Sequence, residues 1–489
     1  QLAFILMNLR GIAEPAHVDR KTVDLLFFPT GGGKTEAYLG LAAFTLILRR
    51  LRNPGVSSAG MSVLMRYTLR LLTLDQLSRA AALICALELE REKDVPRLGS
   101  WPFEIGLWVG KAATPNLLGR QGDGRDDTAR AKTMAFQNHP DRSPSPIPLE
   151  NCPWCGERFS SNSFQLLPNT NQPTDLSVRC ASSRCDFNSK RALPVVAVDE
   201  VLYRRAPAFV IATVDKLASL PFEGRSGVLF GLADRYADKV GFFGACDPGM
   251  GQRLEKRLLP PDLIIQDELH LISGPLGTMV GLYETAVDAL CEHDGDGRRT
   301  RPKVVASTAT VRRAAQQVRA LFARPGVQIF PSPGPDRRDS FFAKTVPSSA
   351  ANARQYLGVA APGRSLKVVM LRSYLALLAR CGALYKQEGG SRSDNPVDPY
   401  MTLLGYFNAL RELGGSRRII EEEVKGRLPS YRHRRRVGED PGPFGVRELV
   451  HDVAELTSRE PTHRVSETKR RLNLDFSQAD ALDVAIATK

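Results

Sequence analysis

From residue 23 to residue 307 the chain repeats one pattern: a short apolar run, a turn, then a stretch with helical spacing. The runs 23–28, 62–65, 209–213, 263–267 and 303–307 read as strands. Helical stretches follow the first two, at 34–50 and 74–91. Continuous apolar strands alternating with helices predict a parallel sheet covered on both faces. The rhythm breaks from 94 to 194, where Pro, Asn, Ser and Arg dominate, and this segment reads as an insertion. Residues 331–347 look like a linker, 355–384 carry a helical pattern and 389–399 form a polar loop. Strand-like runs return at 401–407, 453–456 and 482–487. The expected fold class is α/β with two parallel-sheet lobes. Residues 1–93 and 195–330 form the first lobe, around the insertion 94–194; 331–399 are linker and helical segment; 400–489 are a second lobe that stops partway through its sheet.

Composition narrows the class. The 489 residues are 43% hydrophobic and 25% charged, which excludes wholesale disorder, collagen and coiled coil. No run approaches the ~18 apolar residues of a membrane span, so no membrane partner is expected. Both ends read as cut, and targeting segments are not visible. The net charge of +14 favours a polyanionic partner without defining it. Eight cysteines are too few for a disulfide scaffold, which suits a reducing, cytoplasmic setting.

Three strand ends carry chemistry. After the first strand come Pro29, Thr30, Gly31, Gly32, Gly33, Lys34 and Thr35, leading into a helix. Glycines let backbone N–H groups wrap a phosphate, and the helix N-terminus adds a favourable dipole. Lys34 is placed for the β/γ-phosphates of ATP, and the Thr35 hydroxyl for Mg²⁺. The strict P-loop opens on Gly, where this chain has Phe28. The strand 263–267 delivers Asp267 and Glu268 to its C-terminal end. Asp267 is placed to hold Mg²⁺ through water, and Glu268 to orient and deprotonate the attacking water. Ser307, Thr308 and Thr310 end the next strand, within reach of His270 as a relay of nucleotide state. Alone, each has a blander reading as a turn, a cap or a polar strand end. Their order removes it. A fourth cluster, Cys152, Cys155, Cys180 and Cys185, has the paired spacing of a structural Zn²⁺ site, with a looser second pair.

In this order the motifs resemble those of superfamily two helicases, with Asp267–His270 similar to a DEAH box. The resemblance covers most of the chain. It implies RecA-like lobes, a nucleic-acid-dependent ATPase, and an adenine-reading role for Gln1. It also implies nucleic-acid contacts at Arg66, Thr68, Arg70, Thr213, Lys216, Asn408, Thr457, Ser458, Arg459 and Thr488. The family's arginine finger lies downstream of Thr488 and outside this chain. The phrases 28–40, 266–277 and 405–415, with the four cysteines, resemble the helicase subunits of the DISARM anti-phage defence system, the DrmA family. That likeness implies DNA as substrate, single-stranded or tailed duplex, and a DrmB-like partner subunit. Two alternatives stay open at this point: a duplex translocase that separates no strands, and an ATP-switched DNA-binding scaffold.

Overall fold

The computed structural model describes the chain except residues 29–31, 54, 68–69, 112, 141–142, 248, 273, 296–297, 309–313, 333, 337–338, 348, 351–354, 434–437, 439–441, 458, 461 and 489. For 67, 70–75, 215, 274–276, 295, 298 and 462–463 only the backbone is described. The chain divides into two units, Gln1–Val346 and Pro347–Lys489.

Strands apolar on both faces need cover on both, and in the first unit they build one parallel sheet. Its strands are β1 (Thr22–Leu26), β2 (Val63–Tyr67), β3 (Ile105–Trp108), β4 (Val195–Val196), β5 (Phe209–Thr213), β6 (Leu263–Gln266), β7 (Lys303–Ser307) and β8 (Gly326–Phe330). They pair in the order β8-β1-β7-β6-β2-β5-β3-β4, every pair parallel. Val23, Leu25, Val210, Ile211, Ile265 and Val305 are fully buried, as predicted from their unbroken apolar runs, and so are Ile105 and Leu107 of β3. Register sets Leu26 beside Ser307, and Gln266 beside both Ala306 and Arg66. The carboxyl ends of β1, β7, β6 and β2 therefore finish level, which is where open α/β sheets bind ligands.

Two corrections follow, one inside the stretch read as an insertion and one beyond it. Strand β3 lies within 94–194 yet belongs to the main sheet, between β5 and β4. Its run is short and framed by polar loops, which hid it. A second small subdomain follows β5. Its strands Arg235–Ala237, Gly241–Phe243 and Gln252–Arg253 pack Tyr236 and Phe242 around Trp101, at ring distances of 5.6 and 4.9 Å.

In the second unit β9 (Leu403–Phe407), β10 (Ala454–Leu456) and β11 (Val484–Thr488) form a parallel sheet in the order β9-β11-β10. The helix Leu366–Gln387 packs Leu375, Leu378 and Ala379 into the same core as Val484 and Ile486. It starts eleven residues later than its pattern implied, because Pro362 and Gly363 form a turn ahead of its N-cap, Ser365. By length and composition it is long and apolar enough to cross a membrane, with a mean hydropathy of 1.4, contrary to expectation. Its apolar residues have a use in this core, and its charges (Lys367, Arg372, Arg380, Lys386) interrupted the run in the sequence.

The opposite end of the main sheet is pinned by charge. The Lys303 ammonium is fully buried, donates to the carbonyls of Asp19 (2.6 Å) and Thr22 (2.7 Å), and pairs with the Asp24 carboxylate. Asp24→Ala leaves that cation unpaired and should destabilise the protein by about 3–5 kcal/mol in urea unfolding. A loss under about 1 kcal/mol, the scale of an exposed pair, would show that water reaches it.

Candidate active site

The helix Lys34–Arg52 begins at Gly33, whose φ of 78° is the left-handed value that glycine adopts without strain. Thr30 and Gly31 lie outside the described residues; Gly32 is exposed. Lys34 points across the sheet edge, its Nζ 3.7 Å from Glu268 Oε1. Thr35 is buried beside it. The Gln1 side-chain amide donates to the Gly33 carbonyl at 3.3 Å, so Gln1 does stand at this loop.

Asp267 and Glu268 follow β6. The Asp267 Oδ1 accepts from the Tyr38 hydroxyl (3.3 Å), from the Glu268 N–H (3.0 Å) and from the Ser307 hydroxyl. Among the described residues, all hydrogen bonds to this carboxylate fall on Oδ1. Glu268 itself sits at φ 49°, ψ 49°, a left-handed conformation that costs a non-glycine residue about 1–2 kcal/mol. That twist swings its side chain back toward Lys34. Thr308 is buried and its N–H bonds the Leu26 carbonyl at 3.2 Å, which ties β7 to β1. Thr310 lies outside the described residues. His270 was expected on the Ser/Thr hydroxyls; its Nδ1 is instead 3.2 Å from Glu268 Oε2, because the tight turn Leu269–Leu271 folds it onto its neighbour.

Sequence reasoning missed two groups here. Tyr38 lies one helical turn beyond Lys34 on the same face, a spacing that would have exposed it. Gln317 donates to the carbonyls of Leu269 (3.0 Å) and Ile272 (2.5 Å), clasping the turn after Glu268 from the helix Ala314–Phe322. No sequence signal marks it.

The residues expected to touch nucleic acid fare unevenly. Arg66 is wholly buried; it pairs with Glu284 of the helix Gly274–Cys291 and stands 5.8 Å over the Phe322 ring. Burial lowers its pKa to about 10. The phosphate contact expected of Arg66 is therefore withdrawn: β2 is covered on both faces, and this side chain is committed to the core. Lys216 is also committed, to the Asp199 carboxylate and to Asn116 Oδ1 at 3.2 Å. Burial pushes Asp199 up to about 6. Thr213 and Thr457 are buried, the latter donating to Glu455 Oε1 at 2.7 Å. Arg459 folds back on Glu455 at 2.7 Å and holds that carboxyl below its usual range. Asn408 is exposed and Thr488 half-buried at the end of β11. Thr68, Ser458 and the Arg70 side chain lie outside the described residues.

The four cysteines converge. Sulfurs of Cys152 and Cys185 are 3.9 Å apart, those of Cys155 and Cys180 3.4 Å, and all four lie within 4.8 Å of one another. Disulfide sulfurs stand about 2.05 Å apart, so these thiols are unpaired. Tetrahedral Zn–S bonds of about 2.3 Å set sulfurs about 3.8 Å apart, and the cluster fits that cage. The N–H groups of Ser182 and Phe187 point at Cys180 and Cys185 sulfur, each at 3.4 Å, as donors to thiolates do. Trp154 locks the first knuckle through Asp186 (2.8 Å) and an edge contact with Phe187.

Gly32, Gly33 and Lys34 after β1, paired carboxylates after β6 and hydroxyls after β7 between them meet at one edge of a parallel α/β sheet, where a nucleotide could be held. Over 505 aligned residues the chain is 38% identical to the DISARM protein DrmA of Bacillus paralicheniformis, which it resembles along 100% of its own length. It spans 43% of that protein. No family model matches. Solved structures with some likeness include Mycobacterium smegmatis Lhr bound to single-stranded DNA and AMP-PNP (14% identity, 99% of this chain and 41% of that one, TM-score 0.39). Others are the DEAD-box helicase Mss116 bound to single-stranded RNA and UDP-BeF (11%, 99% and 60%, 0.45) and the DUF1998 helicase MrfA bound to DNA (11%, 98% and 44%, 0.39).

Protein purified without added metal should carry about one zinc per chain, the capacity of a Cys₄ cage. Cys152→Ser combined with Cys180→Ser should remove it. Elemental analysis near zero for the parent, or unchanged in the double variant, would contradict the site.

Proposed function

We propose that this chain is the nucleotide-hydrolysing part of an ATP-dependent DNA helicase or translocase that acts in DISARM-type anti-phage defence in the cytoplasm. The observation that carries the proposal is the meeting of Lys34, Asp267, Glu268 and Ser307 at one sheet edge. The 38% identity to DrmA supports the biological setting.

The reading requires ATP and Mg²⁺. Bound together they supply a phosphoanhydride whose terminal group is open to in-line attack by water. The chain's own groups suit that task. Gly32 and Gly33 offer backbone N–H groups at a helix N-terminus. Lys34 brings a charge to the β/γ-phosphates in exchange for its loose pairing with Glu268. Thr35 and the Asp267 carboxylate would hold Mg²⁺. Glu268 accepts the proton of the attacking water, with His270 at its second oxygen. The Cys₄ cage, holding Zn²⁺, braces the insertion and stands apart from the chemistry. Thr68, Arg70, Asn408, Ser458 and Thr488 remain the proposed nucleic-acid contacts. Single-stranded or tailed duplex DNA and a DrmB-like subunit are the proposed partners.

In the full-length protein, Lys34→Ala should lower ATP turnover by about a hundredfold or more, the scale of losing a charge that stabilises the transition state. Unchanged turnover would end the assignment. Glu268→Gln should retain ATP binding and lose hydrolysis by about 10²–10⁴-fold, since an amide accepts no proton. Lost nucleotide binding with the fold intact would mean that Glu268 is not the base.

A further inference from the structure

We infer that Tyr38 is a positioning residue that aims the metal-binding carboxylate of Asp267; this rests on the hydrolytic reading proposed above. Tyr38 is fully buried, and its hydroxyl stands 3.3 Å from Asp267 Oδ1. A buried phenol needs a polar partner, and this one takes the carboxylate next to the proposed base. Being one turn beyond Lys34 on the helix Lys34–Arg52, it fixes Asp267 to the same rigid element that carries Lys34 and Thr35. Ser307 and the Glu268 N–H hold the same oxygen from the other side. A carboxylate anchored through Oδ1 by three donors presents Oδ2 in one direction. Tyr38 therefore sets the spacing between the phosphate-binding helix and the group that holds Mg²⁺.

The test uses the full-length protein and a fluorescent, non-hydrolysable ATP analogue titrated with Mg²⁺. Tyr38→Phe keeps the ring and removes one hydrogen bond to a charged group, so the half-saturating Mg²⁺ should rise about tenfold. Analogue affinity without Mg²⁺, and the thermal midpoint, should stay as in the parent. In an Asp267→Asn background the same substitution should move the Mg²⁺ curve little, since the two side chains act as one unit. An unmoved Mg²⁺ curve in Tyr38→Phe, or an equal shift in both backgrounds, overturns the assignment. Failure of the hydrolytic reading looks different: Lys34→Ala then keeps its turnover, whatever Tyr38 does.

Discussion

Three donors from three elements converge on one oxygen, Oδ1 of Asp267: the Tyr38 hydroxyl from the helix Lys34–Arg52, the Ser307 hydroxyl from β7, and the N–H of Glu268. Each arrives there because β1, β7 and β6 end at one level. The register is fixed by apolar side chains buried on both faces, where a one-residue slip would turn a whole strand over. The site is thus a consequence of the sheet. The far end of the same strands is held by Lys303, whose burial is tolerable only because two carbonyls and Asp24 surround it.

The left-handed turn at Glu268 is the counterpart of that order. It costs conformational energy, and it brings Glu268 within 3.7 Å of Lys34 and 3.2 Å of His270. Non-glycine residues held this way persist where surrounding structure over-determines them. Here the Gln317 clasp on Leu269 and Ile272 supplies part of that constraint.

Much of this was legible in the sequence, for a physical reason. Strands buried on both faces appear as unbroken apolar runs, and the chemistry sits at their ends, so β1, β2, β5, β6 and β7 carried their motifs with them. The cysteine spacing likewise survives into the fold. Solvent access was what the sequence hid. Arg66 reads the same whether it faces a phosphate or Glu284, because one position past an apolar run does not tell which elements cover it. Lys216 and Thr457 failed for that reason too, their partners Asp199 and Glu455 being placed by the fold. Strand β3 and the subdomain around Trp101 were lost in polar surroundings. The apolar helix Leu366–Gln387 misled in the other direction, since charged residues masked how much of it packs into a core.

The central claim is that this sheet edge hydrolyses ATP in answer to nucleic acid. The most direct measurement is phosphate release by the full-length protein, with and without single-stranded DNA, over a range of salt. The account predicts turnover that rises on adding DNA and loses that stimulation steeply as salt increases, because the grip is on phosphates. Turnover that ignores DNA at every salt concentration would contradict it.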